Sequence, residues 1–161
     1  MTQRSDRGVA QVAYERALEL HERGETDAAI DVLMQAIEEH PGDRDLMVGL
    51  GGMHFEQRRY DEAARWFGRV LKINPDCHTA VTCIFSSLMN LERYVQAYEF
   101  LLTRARLGPT EEVKSALRDL TDEPDAVQKF ALAEEKANKI FEILAELRSI
   151  ERSWQALRSD A

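Results

Sequence analysis

The sequence predicts an all-α chain built from three consecutive helix hairpins, and three observations carry that prediction. Pro41, Pro75 and Pro109 stand 34 residues apart each time. Aligned on them, residues 10–43, 44–77 and 78–111 fall into register, with an alanine twelve residues before each proline (Ala29, Ala63, Ala97) and a large apolar residue eight before it (Leu33, Phe67, Leu101). Within these segments apolar residues recur at helical spacing. In 58–76, for example, Tyr60, Ala63, Trp66, Phe67, Val70 and Leu71 form a stripe that stops at Pro75.

The helices follow from local chemistry. They are expected at 8–23, 27–39, 44–57, 61–73, 78–91 and 95–107, after a polar segment over residues 1–9. Gly24 opens the first turn, Pro41-Gly42 breaks the chain after the second helix, and Asp43 stands ready to cap the third. The connections are short, as antiparallel helix pairs need. Ala17, Gly51 and Phe85 lie 24 residues before the three prolines, where the two helices of one hairpin must touch. A small residue there lets the backbones approach while large residues fill the space alongside. Phe67 and Ala63 are therefore read as core. Trp66, whose equivalents Val32 and Phe100 are also apolar, is read as packing toward the next hairpin.

After Pro109 and the capping residue Thr110, a short helix is expected over 112–121, with Val113, Ala116, Leu117 and Leu120 on one face, closing the open end of the array. From Pro124 the chain runs to about residue 158 without glycine or proline. This predicts one long helix over 124–158, about 50 Å at a rise of about 1.5 Å per residue. Its apolar positions include Phe130, Ile140, Phe141, Leu144, Leu147 and Trp154, a stripe broader than a coiled-coil seam. Three readings stand open for it: packing on its own chain, an oligomer interface, or a docking helix for another protein.

The 34-residue unit resembles the tetratricopeptide repeat family. The second segment carries the resemblance best, with Leu50-Gly51, Tyr60, Ala63, Phe67 and Pro75 at motif positions. The first departs at Ala13 and Arg16, where the family has a large aromatic and a leucine. The third departs at Phe85 and Arg104, where it prefers small residues. The resemblance implies a right-handed superhelical array of three repeats plus C-terminal helices, with the first helix of each hairpin lining a concave groove. On this chain the groove residues would be Tyr14, Leu18, Val48, Gly49, Gly52, Phe55, Thr82, Cys83, Ser86 and Met89, with Glu22, Asp45 and Glu56 near the rim. The family's carboxylate clamp needs cations. The matching positions here are Tyr14, Leu18, Gly49, Thr79 and Cys83, none of which supplies one.

Gly49, Gly51 and Gly52 are costly within one helix, at roughly 0.5 to 1 kcal/mol each against alanine. Gly51 serves the hairpin contact. Gly49 and Gly52 either let a partner backbone come close or seat the protein's own neighbouring helix.

Composition excludes several classes. The net charge of −8 argues against a nucleic-acid footprint. No apolar run approaches the about 18 residues of a membrane span, and nothing resembles a signal peptide. Cys77 and Cys83 lack metal or CxxC spacing, and His21, His40, His54 and His78 are scattered, so no metal or other cofactor is expected. His54 falls at the position of Leu20 and Leu88 and reads as a packed histidine. The expected function is a non-enzymatic, cytoplasmic adaptor that holds an apolar extended or helical protein segment. The alternatives are a chaperone resembling those of type III secretion, and a structural subunit that forms a homo-oligomer through its last helix.

Overall fold

The computed structural model describes residues 3–111, 113–115 and 134–159. Seven helices are defined among the described residues: α1 (Gln3–Glu22), α2 (Thr26–Glu39), α3 (Arg44–Glu56), α4 (Tyr60–Ile73), α5 (His78–Asn90), α6 (Tyr94–Leu107) and α7 (Glu134–Ser159). Glu111 and residues 113–115 are also helical, and no strand occurs among the described residues. The fold is all-α, a run of helix hairpins at the 34-residue period. The first six helices keep the expected limits within one residue at each end, except that α1 begins at Gln3 instead of residue 8. Its first turns extend through the segment read as merely polar, because lengthening an established helix needs no apolar stripe. The remainder of the expected 112–121 helix and the start of the expected 124–158 helix, Phe130 included, lie outside the described residues.

The chain forms two compact units, divided between Ser87 and Leu88 within α5. In the first unit α1 pairs with α2 and α3 with α4, and α3 also packs on α1 and α2. The core is built where the register placed it: Ala17, Ala29, Leu33, Leu50, Ala63 and Val70 are fully sealed and Phe67 almost so. Within the second hairpin the helices meet closely at Gly51, where a Cβ would stand 3.0 to 3.2 Å from three atoms of the Phe67 ring. Burying a ring or a leucine at such a point contributes about 1.5 to 3 kcal/mol.

The turns repeat as faithfully as the cores. Gly24, Arg58 and Glu92 lie 34 residues apart and all have positive φ, at 81°, 59° and 57°. Each donates its N–H to the carbonyl three residues back (His21, Phe55, Met89), and the next residue donates to the carbonyl five back (Leu20, His54, Leu88). This is the Schellman termination of a helix. Asp43 caps α3 as expected, its carboxylate accepting from the N–H groups of Asp45 and Leu46 at 3.0 and 3.1 Å. Asp27 of α2 takes the Arg59 guanidinium at 3.0 Å, tying α2 to the turn before α4.

In the second unit α7 packs along α6. Ile140, Ile143 and Leu147 of α7 are buried, as are Ala97, Tyr98, Leu101, Leu102 and Ala105 of α6, and Val113. Arg106 Nε and Nη2 bond Glu146 Oε1 at 2.9 and 2.7 Å. That pair is about half exposed, and such surface pairs contribute only about 0 to 1 kcal/mol. The apolar burial holds the helix. Ile140 and Leu147, two residues of the stripe for which own-chain packing, an oligomer and a docking partner stood open, are buried in the chain's own core. Leu144 and Trp154 are half-buried, and Phe141 stays 53% exposed.

Only Gly24 suits the left-handed turn position, which costs other residues about 1 to 2 kcal/mol. Arg58→Gly should therefore raise unfolding stability by about 0.5 to 1 kcal/mol after the added chain entropy of glycine, and Gly24→Ala should lower it by about 1 kcal/mol. Urea denaturation of the two variants measures both.

Candidate functional site

On one helix, residues four apart share a face. Tyr14 and Leu18 are such a pair on α1, and Val48 and Gly52 on α3. The Tyr14 ring joins the two helices by lying over Gly49: a Cβ at Gly49 would come within 2.6 Å of Tyr14 Cε2 and 3.5 Å of Leu33 Cδ1. The three glycines of α3 therefore have three roles. Gly51 receives Phe67 and Gly49 receives Tyr14, so the depth expected at Gly49 is taken up by the protein's own ring. An added Cβ at Gly52 would meet nothing within 4 Å, leaving it open.

Around it the surface is mixed. Leu18 is 38% exposed, and Tyr14, Val48 and Phe55 are half-buried. Phe55 is partly committed, its ring edge-on to Tyr60 with centroids 5.3 Å apart. Beside Tyr14 a depression of about 200 Å³ is lined by Ala10, Gln11, Asp43, Asp45 and Leu46. Two of the rim acids, Asp45 and Glu56, are paired. Asp45 accepts from the Arg44 guanidinium at 2.7 and 2.9 Å. Glu56 of α3 meets His21 Nε2 of α1 at 2.7 Å, and His21 Nδ1 lies 3.1 Å from the Thr26 hydroxyl. Only folding brings His21 to Glu56, because they stand on different helices and their separation in sequence carries no signal. Glu22 is exposed.

On α5, Thr82 is exposed and 3.4 Å from His78 Nδ1, while Cys83 and Ser86 are half-buried. Burial, and then the neighbouring Cys77, push the Cys83 thiol above its ordinary pKa, so it stays protonated. Both cysteines are free thiols. Thr79 is exposed and Met89, half-buried, belongs to the second unit. The groove residues that the structure brings together are those of α1 and α3. Trp66 is half-buried, with the Arg69 guanidinium 4.4 Å above its ring. Among the described residues no group of three or more His, Cys, Asp or Glu could hold a metal ion, and no helix is long and apolar enough to cross a membrane.

His54 is buried in the leucine position, and its Nδ1 has no hydrogen-bond partner among the described residues. Burial first, and the nearby Arg59 second, lower its pKa below 6.5. On acidification the unfolded chain takes up the proton first. Stability that is present above about pH 6.5 is therefore lost as pH falls toward the folded-state pKa.

Residues 14–76 match the sequence profile of the tetratricopeptide repeat. No curated protein matches the chain. Among solved structures it is similar to the TPR domain of Sgt2 from Aspergillus fumigatus, at 16% identity and TM-score 0.57, over 77% of this chain and 84% of that one. It is also similar to MamA MSR-1, at 21% identity and TM-score 0.56, over 83% of this chain and 77% of that one. A double mutant of MamA RS-1 aligns at 16% identity and TM-score 0.57, over 91% and 97%. At these identities the likeness is one of fold.

Two outcomes follow for α3. His54→Leu should raise stability by about 1 kcal/mol, since it removes a buried polar atom without a partner. It should also flatten the fall in melting temperature between about pH 7 and pH 5. Gly52→Ala should stabilise by up to about 1 kcal/mol, whereas Gly51→Ala should destabilise, because the sealed Phe67 ring cannot move away. Thermal melts across pH read the first pair of effects and urea titrations the second.

Proposed function

We propose, from the premise that residues 14–76 are tetratricopeptide repeats, that this chain is a non-catalytic protein-interaction module whose α1 and α3 face holds an apolar segment of another protein. The observation that carries this reading is Gly52. It is a glycine inside a helix, with nothing near its Cβ position, on the same face as Val48 and beside a helix presenting Tyr14 and Leu18. A helix gives up about 1 kcal/mol for such a glycine, and an approaching backbone or side chain is what the open position suits.

Binding would proceed by shape and apolar complementarity on a preformed surface, so little ordering cost opposes it. Leu18, Val48 and the outer edge of the Tyr14 ring supply contact, and Gly52 supplies depth. Thr82, Cys83 and Ser86 extend the surface along α5, with the Cys83 thiol neutral. Asp43, Asp45 and Glu56 carry negative charge along it, which favours a segment with basic flanks. Free Cys77 and Cys83 suit a reducing compartment, and we place the protein in the cytoplasm. Against assembly through the last helix stands the burial of Ile140 and Leu147 within the chain.

Selection from a displayed random-peptide library tests this. The wild type should enrich apolar peptides with a lysine or arginine at one end. The Leu18→Glu, Val48→Glu double variant, with helicity and melting unchanged, should bind them at least tenfold more weakly. Equal retention by both proteins would remove this face from consideration.

A further inference from the structure

The second helix of each hairpin carries an outward stripe at equivalent positions, four and then three residues apart. In the first hairpin it reads Asp31, Gln35, Glu38; in the second Arg65, Arg69, Lys72; in the third Glu99, Thr103, Arg106. The charge reverses between the first two. Helix α2 holds Asp27, Asp31, Glu38 and Glu39 with no lysine or arginine, while α4 beyond its first turn holds only cations.

The third stripe shows what such a surface does in this protein. Glu99, Thr103 and Arg106 face Lys139, Glu142 and Glu146 of α7 across one cleft. Arg106, at the position of Lys72, is bonded to Glu146. A helix lies along the outer stripe and pairs its carboxylate with the cation.

The first two stripes lie open. Asp31, Gln35, Glu38, Arg65 and Lys72 are exposed, and none of Asp31, Glu38, Arg65 and Lys72 has an ion-pair partner among the described residues. Apolar residues accompany them. Met34 on α2 is 39% exposed and Ile73 on α4 48%, and Trp66 lies half-buried under Arg69. One unit therefore presents an acidic helix with an exposed methionine and a basic helix with an exposed isoleucine.

We propose that two copies of this chain associate through these stripes, α2 of each copy lying along α4 of the other. A surface with one acidic and one basic helix is complementary to itself under a two-fold rotation, which sets acid against base at both contacts and closes the assembly at two. Each contact is a helix pair about 20 Å long at a rise of about 1.5 Å per residue. Asp31 and Glu38 oppose Arg65, Arg69 and Lys72, and Met34 and Ile73 are covered between them. The occupant is a second copy because the acidic helix with an exposed apolar residue that α4 would receive is present in the chain itself. The proposal concerns other helices than the peptide-binding reading and does not rest on it.

Sedimentation equilibrium of the full chain, with charge reversals on each stripe, tests the proposal. The wild type should approach twice the monomer mass as concentration rises, and its dissociation constant should increase at least tenfold between about 50 and 500 mM salt, as screened surface pairs require. One variant, Arg65→Glu, Arg69→Glu, Lys72→Glu, makes both helices acidic. The other, Asp31→Lys, Gln35→Lys, Glu38→Lys, makes both basic. Each alone should stay monomeric with wild-type helicity, and an equimolar mixture should form a dimer, because each contact then joins an acidic helix to a basic one. The Leu18→Glu, Val48→Glu variant should dimerise as the wild type does. A wild-type monomer at every concentration, mass growing past two copies, or a mixture that stays monomeric would each overturn the proposal.

Discussion

The close approach of paired helices at their small residues is the constraint on which the structure depends. At Gly51 the α3 backbone rests against the Phe67 ring, and Ala17 is equally sealed in the first hairpin. A larger side chain at either point would hold the helices apart and uncover Leu33, Phe67 and their neighbours, which supply the burial energy. Short left-handed turns at Gly24 and Arg58 bring each second helix back in phase. The contact then falls at the same place in the first two hairpins, and the 34-residue period is its record in the sequence.

Once the hairpins are locked, each helix has a face left over, and these faces differ in chemistry. That of α1 and α3 sets Leu18, Val48 and half-buried Tyr14 beside one open glycine, with acids along its edge. Those of α2 and α4 are charged, with opposite signs at equivalent positions. Such surface variation costs little stability, because exposed charges contribute little to folding. The repeats can therefore diverge outside while their contacts stay alike.

The third hairpin departs from the pattern where the sequence does. Arg104 is buried at a position held by Ala36 and Val70, and Phe85 is half-buried where Ala17 and Gly51 are sealed. Here α7 lies along α6 and buries Ile140, Ile143 and Leu147. A helix at the end of an array has no following repeat to cover it, and a helix from elsewhere in the chain meets that need.

By itself the sequence determined the fold class, the helix limits beyond the start of α1, the sealed residues at the repeat positions Ala29, Leu33, Ala63, Phe67, Ala97 and Leu101, and the Asp43 cap, because each depends on spacing along one helix or across one short turn. The start of α1 escaped it, since a polar sequence does not forbid a helix that other turns have nucleated. Tertiary structure alone decided that Tyr14 fills Gly49 while Gly52 stays open, that His21 pairs with Glu56, and that Ile140 and Leu147 turn inward. All three depend on which faces of different helices meet, and a helical stripe looks the same in sequence whether its partner is the same chain, another protein or water.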